Sequence, residues 1–161
     1  DAGAEVINLS LGASSQSQAM TNAITYAMAN GVVVVAAAGN GGANGAVNYP
    51  AADNRTLAVA SIDPSRGISG FSTHGSYVDL AAPGSGVLST TPNGSYEYKS
   101  GTSMATPFVS GVAALLIGLD RSLTPDTLAN RLISTADDAG APGVDAAFGY
   151  GIINPVRAMA G

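Results

Sequence analysis

The sequence predicts an α/β fold with a mostly parallel β-sheet. Three consecutive patterns predict it: an alternating apolar segment at 5–11, apolar residues at helical spacing across 20–28, and an unbroken apolar run at 32–38. A strand, a helix and a second strand in this order form a βαβ unit, in which the two strands lie parallel in one sheet. The run VVVVAAA at 32–38 has no polar alternation, which is typical of a strand covered on both faces.

The residues within this unit support each assignment. In the predicted strand 5–11, every second residue from Ile7 to Leu11 is a large aliphatic one, so these side chains share one face. The predicted helix follows a serine-rich turn and ends before Gly31, because glycine commonly follows the last helical turn.

The chain continues with short strands. Strands are predicted over 57–62 and 78–82. A hairpin is predicted to join 87–90 to 95–99 around Asn93-Gly94, a dipeptide strongly favoured in hairpin turns. The sheet then gives way to helices.

Three helices are predicted in the C-terminal part. From Ser103 onward, apolar residues form one stripe and small residues occupy the other faces, which predicts a helix buried nearly all round. Thr124 followed by Pro125 predicts the start of a helix that reaches about Ala136. Asn154-Pro155 predicts the start of a last short helix in the same way.

Composition limits the classes of function. The 161 residues are 46% hydrophobic and 11% charged, with 6 basic and 11 acidic residues. We expect one globular domain over 1–161 without the basic surface that nucleic acids or anionic membranes require. The longest apolar run, 32–38, is far shorter than the roughly 18 residues of a membrane span. The absence of cysteine excludes disulfides and thiolate metal sites.

The segment SGTSMATP at 100–107 places a serine at a predicted helix start. Ser103 lies there at the positive end of the helix dipole, and its N–H is one of the unpaired first-turn donors. Pro107 lacks the N–H that would bond the Ser103 carbonyl, so the first turn stays open. A nucleophilic serine needs such exposure, together with a base and oxyanion donors. The simpler alternative is that Thr102 and Ser103 only cap the helix.

A second candidate is Asn40, which follows the predicted strand 32–38 in the sequence GNGG. Its amide can donate to an oxyanion, but an asparagine flanked by glycines is more commonly a turn residue. A phosphate-binding loop is a third possibility, because the strand ends in glycines. The segment GNGGANG does not fit G-x-G-x-x-G and no helix follows it, so nucleotide binding is disfavoured.

Four segments resemble motifs of the subtilisin-like serine peptidases, the subtilases: GTSMATPFVSG, VVVVAAAGNGG, VINLSLG and FSTHGSYVDLAAPG. The resemblance extends over nearly the whole chain. Phe108 departs from the pattern, because the family usually has a histidine there that is not part of the catalytic triad. The resemblance implies a partial subtilisin-like three-layer α/β fold that lacks the N-terminal strands.

The resemblance also implies roles for individual residues. Ser103 would be the nucleophile, and the amide of Asn40 would donate to the oxyanion. The substrate-binding residues would be Ser10, Leu11, Gly12, Ala13, Ala38, Gly39 and Asn48. The implied substrate is a polypeptide that adds a strand along the edge at 10–12. No cofactor would be required, and secretion is expected.

The base that Ser103 needs is not evident in the chain. His74, the one histidine, lies in a loop where the family tolerates many residues. The family's catalytic histidine and aspartate lie upstream of VINLSLG, in contexts that Asp1 does not fit. A Ser–Lys pair with Lys99 is the remaining possibility. The resemblance therefore implies that residues 1–161 are the C-terminal part of a catalytic domain, inactive without a missing N-terminal half.

Such a truncation would affect the partners of the chain. It would leave a parallel sheet edge open, which favours self-association when the missing half is absent. The alternative function is a pseudopeptidase or peptide-binding module that uses the same groove without hydrolysis.

A structural calcium site is also implied by the resemblance. Asp79 matches an aspartate that binds calcium in some subtilases, with the backbone carbonyls of Asn54 and Thr56 as partners. Tyr77 stands where those proteins have another acidic residue. The alternative is that Asp79 only satisfies a turn at a strand end.

Overall fold

A computed structural model of the chain describes residues 2–160, and Asp1 lies outside the described residues. Within these residues, four parallel strands form a sheet in the order β1 (Val6–Leu9), β2 (Val33–Ala37), β3 (Leu57–Ile62) and β4 (Leu80–Pro83). The remaining elements are an antiparallel hairpin and four helices: β5 (Val87–Thr90), β6 (Tyr96–Lys99), α1 (Gln18–Ala29), α2 (Thr102–Leu119), α3 (Pro125–Ser134) and α4 (Pro155–Ala160). The predicted α/β fold with a parallel sheet is confirmed.

Helices cover both faces of the sheet. Val33 and Val35 of β2 pack in one core cluster with residues of α2, whereas Val34 packs with Ile24 of α1. All five residues of β2 are buried, so the strand carries no polar alternation. The result is three layers, with α1 on one side and α2 on the other.

Two strands differ by two residues at one end from their predicted bounds. β1 ends at Leu9, so Ser10 and Leu11 lie beyond the ladder that joins it to β2. β4 begins at Leu80, because the Val78 N–H donates to the Gly75 carbonyl at 3.1 Å in a turn before the strand. Apolar and polar side chains can keep alternating after the last hydrogen bond between two strands. The sequence pattern therefore predicts a longer strand than the one that is paired.

The prediction that α2 is buried nearly all round is wrong. The face toward the sheet is fully buried, for example at Val109, but Phe108 is 44% exposed, Leu115 55% and Leu119 67%. A helix has about 3.6 residues per turn, so a sheet on one side leaves the opposite side open. Within residues 2–160, no element covers that opposite side.

Helix α2 is also the one described helix that is long and apolar enough to cross a membrane, with 18 residues and a mean hydropathy of 1.6. The count of unbroken apolar runs in the sequence missed this property. Its packing accounts for the composition, because α2 contacts all four strands of the sheet and contributes to the main core cluster.

The two C-terminal helices begin as predicted. The Thr124 hydroxyl accepts from the Thr127 N–H at 3.2 Å, and the Thr127 hydroxyl accepts from the Thr124 N–H at 2.8 Å. The pair forms a reciprocal cap in which Thr127 takes the place usual for Glu or Gln. At α4, the Asn154 side chain accepts from the Arg157 N–H at 3.0 Å.

Candidate active site

The candidate nucleophile lies where the end of β1 meets the start of α2. Ser103 is the second residue of α2 and is partly exposed. Its hydroxyl donates to the Ser10 carbonyl at 3.4 Å, and the Ser10 hydroxyl donates to the Ser103 carbonyl at 2.9 Å. Pro107 has no N–H for that carbonyl, so the bond from Ser10 replaces the missing helical bond.

The side chain of Asn40 is held in one orientation. Its Oδ1 accepts from the Thr102 N–H at 2.9 Å and from the Thr102 hydroxyl at 3.0 Å. The same hydroxyl accepts from the Gly39 N–H at 3.2 Å. Because a backbone N–H can only donate, these bonds assign the oxygen of the amide and leave Nδ2 on the exposed side as a donor.

The side-chain nitrogen of Asn40 and the backbone nitrogen of Ser103 lie near one point beside the Gly101 Cα, which the Met104 sulfur also borders. A methyl group placed on Gly101 would lie 3.5 Å from Asn40 Nδ2 and 3.7 Å from the backbone nitrogen of Ser103. The Ser103 nitrogen belongs to the first helical turn, whose N–H groups have no intrahelical acceptor. Both nitrogens carry N–H groups, the kind of donor that an oxyanion requires.

Most of the predicted substrate-binding residues lie together next to this point. The Asn48 side chain donates to the Ala37 carbonyl at 2.8 Å and fills the space beside the Gly12 Cα, where a methyl group would overlap it. Asn48 also borders Gly39, since a methyl group there would lie 3.2 Å from the Asn48 Cβ. Ala13 holds this wall in place through paired backbone bonds with Tyr49, both of 2.8 Å.

The other predicted substrate residues are placed differently. Leu11 is 51% exposed and lines, with Gly12 and Ala13, a cavity of about 150 Å³ that reaches α1. Ala38 is fully buried in a core cluster, and its carbonyl accepts from the Tyr77 hydroxyl at 2.8 Å. The side chain of Ala38 therefore belongs to the core.

Neither of the two possible bases is hydrogen-bonded to Ser103 among the described residues, although Lys99 borders the same cavity as Ser103. Lys99 forms an ion pair with Glu97 at 2.8 Å on the exposed hairpin. His74 is half-buried in the loop before β4, and within residues 2–160 no hydrogen bond joins it to Ser103. A cavity of about 400 Å³ adjoins Ser103 and is bordered by Met104, Pro107 and Phe108 of α2 and by the hairpin.

The family model that matches this chain is the "Subtilase family", over residues 1–151. The chain belongs to the subtilase family. It is 48% identical to thermitase of Thermoactinomyces vulgaris over 159 residues, which cover 99% of this chain and 55% of thermitase. It is 42% identical to subtilisin DY of Bacillus licheniformis, over 94% of this chain and 56% of that protein. The chain spans about half the length of these curated relatives.

Two residues of this subtilase site were missed by the sequence analysis. Thr102 orients Asn40, and its place beside Ser103 in GTSM was the signal that could have identified it. The Thr73 hydroxyl accepts from the Gly41 N–H at 2.9 Å, and its backbone N–H donates to the Gly39 carbonyl at 2.9 Å. No local sequence pattern indicates the role of Thr73, because its partners lie more than 30 residues away in the chain.

The residues implied for calcium line one cavity of this subtilase, of about 190 Å³. Asp79 is half-buried: one of its oxygens accepts from the Ala58 N–H at 2.7 Å, and desolvation raises its pKa to about 6. Asn54 and Thr56 border the same cavity, as does Arg55, whose guanidinium is engaged by Asp53 at 2.6 Å. The Asp79 carboxylate supplies the kind of oxygen donor that calcium prefers.

Proposed function

We propose that this chain carries the nucleophile and oxyanion donors of a subtilisin-type serine endopeptidase that hydrolyses peptide bonds. The observation that supports this function most directly is that Asn40 Nδ2 and the Ser103 nitrogen both lie within 3.7 Å of one point beside Gly101, two residues before Ser103. Among the relatives, a protein of Bacillus sp. strain AK1 that is 42% identical carries the name "thermophilic serine proteinase".

In the proposed reaction, the Ser103 hydroxyl attacks the scissile carbonyl while a base takes its proton. The carbonyl oxygen becomes negative and accepts from Asn40 Nδ2 and the Ser103 N–H. The tetrahedral intermediate then expels the leaving amine, which takes the proton from the base, and water releases the acyl group by the same steps in reverse. Loss of one such oxyanion donor costs roughly 10² to 10³ in kcat, a magnitude measured in a subtilisin.

The base and its orienting carboxylate are proposed to come from polypeptide outside these 161 residues. Support comes from the hydrogen bonds around Ser103: its hydroxyl is bonded only to the Ser10 carbonyl among the described residues, and Lys99, which borders the same cavity, is paired with Glu97. The 400 Å³ cavity and the exposed face of α2 leave room for a segment that carries a base. The chain alone is predicted to be inactive. The complete enzyme is defined as these residues joined to that polypeptide.

The proposed substrate is a polypeptide whose backbone pairs along 10–12 and whose side chain enters between Gly12 and Gly39. Asn48 fills part of this space, so the pocket is expected to prefer small apolar side chains. Calcium is proposed to bind Asp79 and the carbonyls of Asn54 and Thr56 as a structural ion. Action outside the cytoplasm is proposed on the family resemblance alone.

A non-catalytic peptide-binding module is the second candidate, and the absence of a base hydrogen-bonded to Ser103 in residues 2–160 favours it. A fluorophosphonate probe distinguishes the two, because it reacts only with an activated serine. The complete enzyme is expected to be labelled at Ser103 and to hydrolyse casein, and Ser103→Ala is expected to abolish both. Binding of peptides without labelling or hydrolysis would instead establish the binding module.

A further inference from the structure

The residue that follows β4 holds the turn that leads to the nucleophile. Gly84 is buried, and its carbonyl accepts from the Gly101 N–H at 2.8 Å. The carbonyl of Gly101 accepts from the Met104 N–H at 2.9 Å. Gly101 is therefore anchored to the sheet on one side and to the first turn of α2 on the other, directly before Thr102 and Ser103.

There is no room for a side chain at Gly84. A methyl group there would overlap the Ser61 hydroxyl and would lie 2.9 Å from the Ser61 Cβ and 2.7 Å from the Gly101 carbonyl oxygen. Ser61 is fully buried, and its hydroxyl lies 2.8 Å from that of Ser69, which lies 2.8 Å from that of Ser85. Connected buried hydroxyls of this kind form a rigid wall, so Ser61 cannot move aside cheaply.

We propose that Gly84 is a positioning residue for the oxyanion donors. Because it has no side chain, the Gly101 peptide packs directly against it, and this contact fixes the N–H of Ser103 and the Thr102 N–H that orients Asn40. A side chain at 84 is trapped between Ser61 and Gly101, so it displaces the Gly101 carbonyl. This inference rests on the proposed function and adds to it a residue of AAPG, outside the nucleophile motif.

The test is Gly84→Ala in the complete enzyme, assayed with a chromogenic peptide amide and with a peptide aldehyde inhibitor. Oxyanion donors act in the transition state and on the tetrahedral aldehyde adduct. We expect kcat and aldehyde affinity each to fall about 30-fold, while KM changes less than about 3-fold. Gly70→Ala is the matched control, because a methyl group there meets no atom within 4 Å. Unchanged kcat and aldehyde affinity in Gly84→Ala would overturn the proposal.

A second pair of variants separates positioning from a general loss of stability. Ser61→Gly removes both Ser61 atoms that the new methyl would strike, which leaves the 2.7 Å contact with Gly101. Ser61→Gly is expected to lower the Tm but keep kcat, and Ser61→Gly/Gly84→Ala is expected to keep the low kcat. Recovery of kcat in the double variant overturns the proposal, because the effect would then run through Ser61.

If Gly84→Ala alone does not fold, the same pair still provides the test. The kcat of Ser61→Gly/Gly84→Ala is then compared with the kcat of Ser61→Gly. Failure of the proposed function itself has a different signature. In that case the unmodified complete enzyme and Gly70→Ala would also leave the peptide amide uncleaved and would not bind the aldehyde.

Discussion

Ser10 and Ser103 are joined by two hydrogen bonds that run in opposite directions between their hydroxyls and carbonyls, at 2.9 and 3.4 Å. The contact spans 93 residues of sequence and connects the end of β1 to the first turn of α2. It exists because Pro107 leaves the Ser103 carbonyl without its helical donor. The segment 10–12, which is proposed to bind substrate, thereby also positions the proposed nucleophile.

Ser10→Ala is expected to lower kcat of the complete enzyme about 5-fold, because the Ser103 carbonyl loses its donor and the first turn loosens. The unfolding free energy is expected to fall by about 1 kcal/mol. Ser110→Ala is the matched control, since the Ser110 hydroxyl also joins α2 to β1, through Asn8 at 2.9 Å. The control should lose similar stability and keep kcat, and an equal loss of kcat in both variants would refute the positioning role of Ser10.

Thr102→Val is expected to lower kcat about 10-fold with little change in KM. Valine keeps the shape but cannot donate to Asn40 Oδ1 or accept from the Gly39 N–H, so the amide that faces the oxyanion loses one of its two restraints. Thr102→Ser retains the hydroxyl and should retain most of kcat. Steady-state kinetics of the two variants make the comparison, and equal activity would show that the Thr102 hydroxyl does not position Asn40.

Asp79 is expected to make stability depend on pH when calcium is chelated. Its folded-state pKa of about 6 lies above the ordinary 3.8, so the folded state binds the proton more tightly. The stability this provides is fully present below about pH 4 and is lost as pH rises through about 6, a change of about 3 kcal/mol. Asp79→Asn should lack this loss and be the more stable protein at pH 8 in chelator, as measured by urea unfolding.

Calcium provides the complementary test of the same residue. Added calcium should raise the Tm of the unmodified chain at pH 8, where Asp79 is ionised, and should leave Asp79→Asn unchanged. Equal responses in both proteins would place the ion elsewhere or exclude it.

The isolated chain is expected to self-associate. β1 is an edge strand of the sheet, and α2 exposes Phe108, Leu115 and Leu119. Open parallel edges and apolar patches of this kind favour association. Light scattering should give a mass above 15.8 kDa, and Leu115→Lys/Leu119→Lys should lower it without loss of helix. A monodisperse monomer of the unmodified chain would contradict the expectation.

Local pattern was sufficient to predict much of the fold. β2 lies where an apolar β-branched run places it, and β3 lies where a short, mainly apolar segment does. Thr124 and Asn154 cap helices because their side chains bond within three residues. The exposed side of α2 could not be predicted, because an apolar helix looks the same in sequence whether one or both sides are covered. That distinction depends on which elements surround Phe108 and Leu115.

In the candidate site too, residues in local motifs could be predicted and residues held by distant contacts could not. Ser103 and Asn40 were identifiable because each lies in a distinctive motif, whereas the support of Thr73 and Gly84 depends on contacts between distant segments. The Gly84 carbonyl accepts from Gly101, 17 positions away, and only glycine fits at 84 because Ser61 of β3 lies behind it. The burial of the Ala38 side chain likewise follows from the packing of Tyr77 and Ile62, which no local pattern encodes.

The central claim is that Asn40 and the Ser103 N–H together stabilise an oxyanion beside the Ser103 hydroxyl. Asn40→Leu tests it most directly, because leucine has nearly the shape of asparagine and no donor. In the complete enzyme, kcat for a chromogenic peptide amide is predicted to fall roughly 10² to 10³-fold while KM changes less than about 3-fold. A kcat within about 3-fold of the unmodified enzyme would contradict the claim.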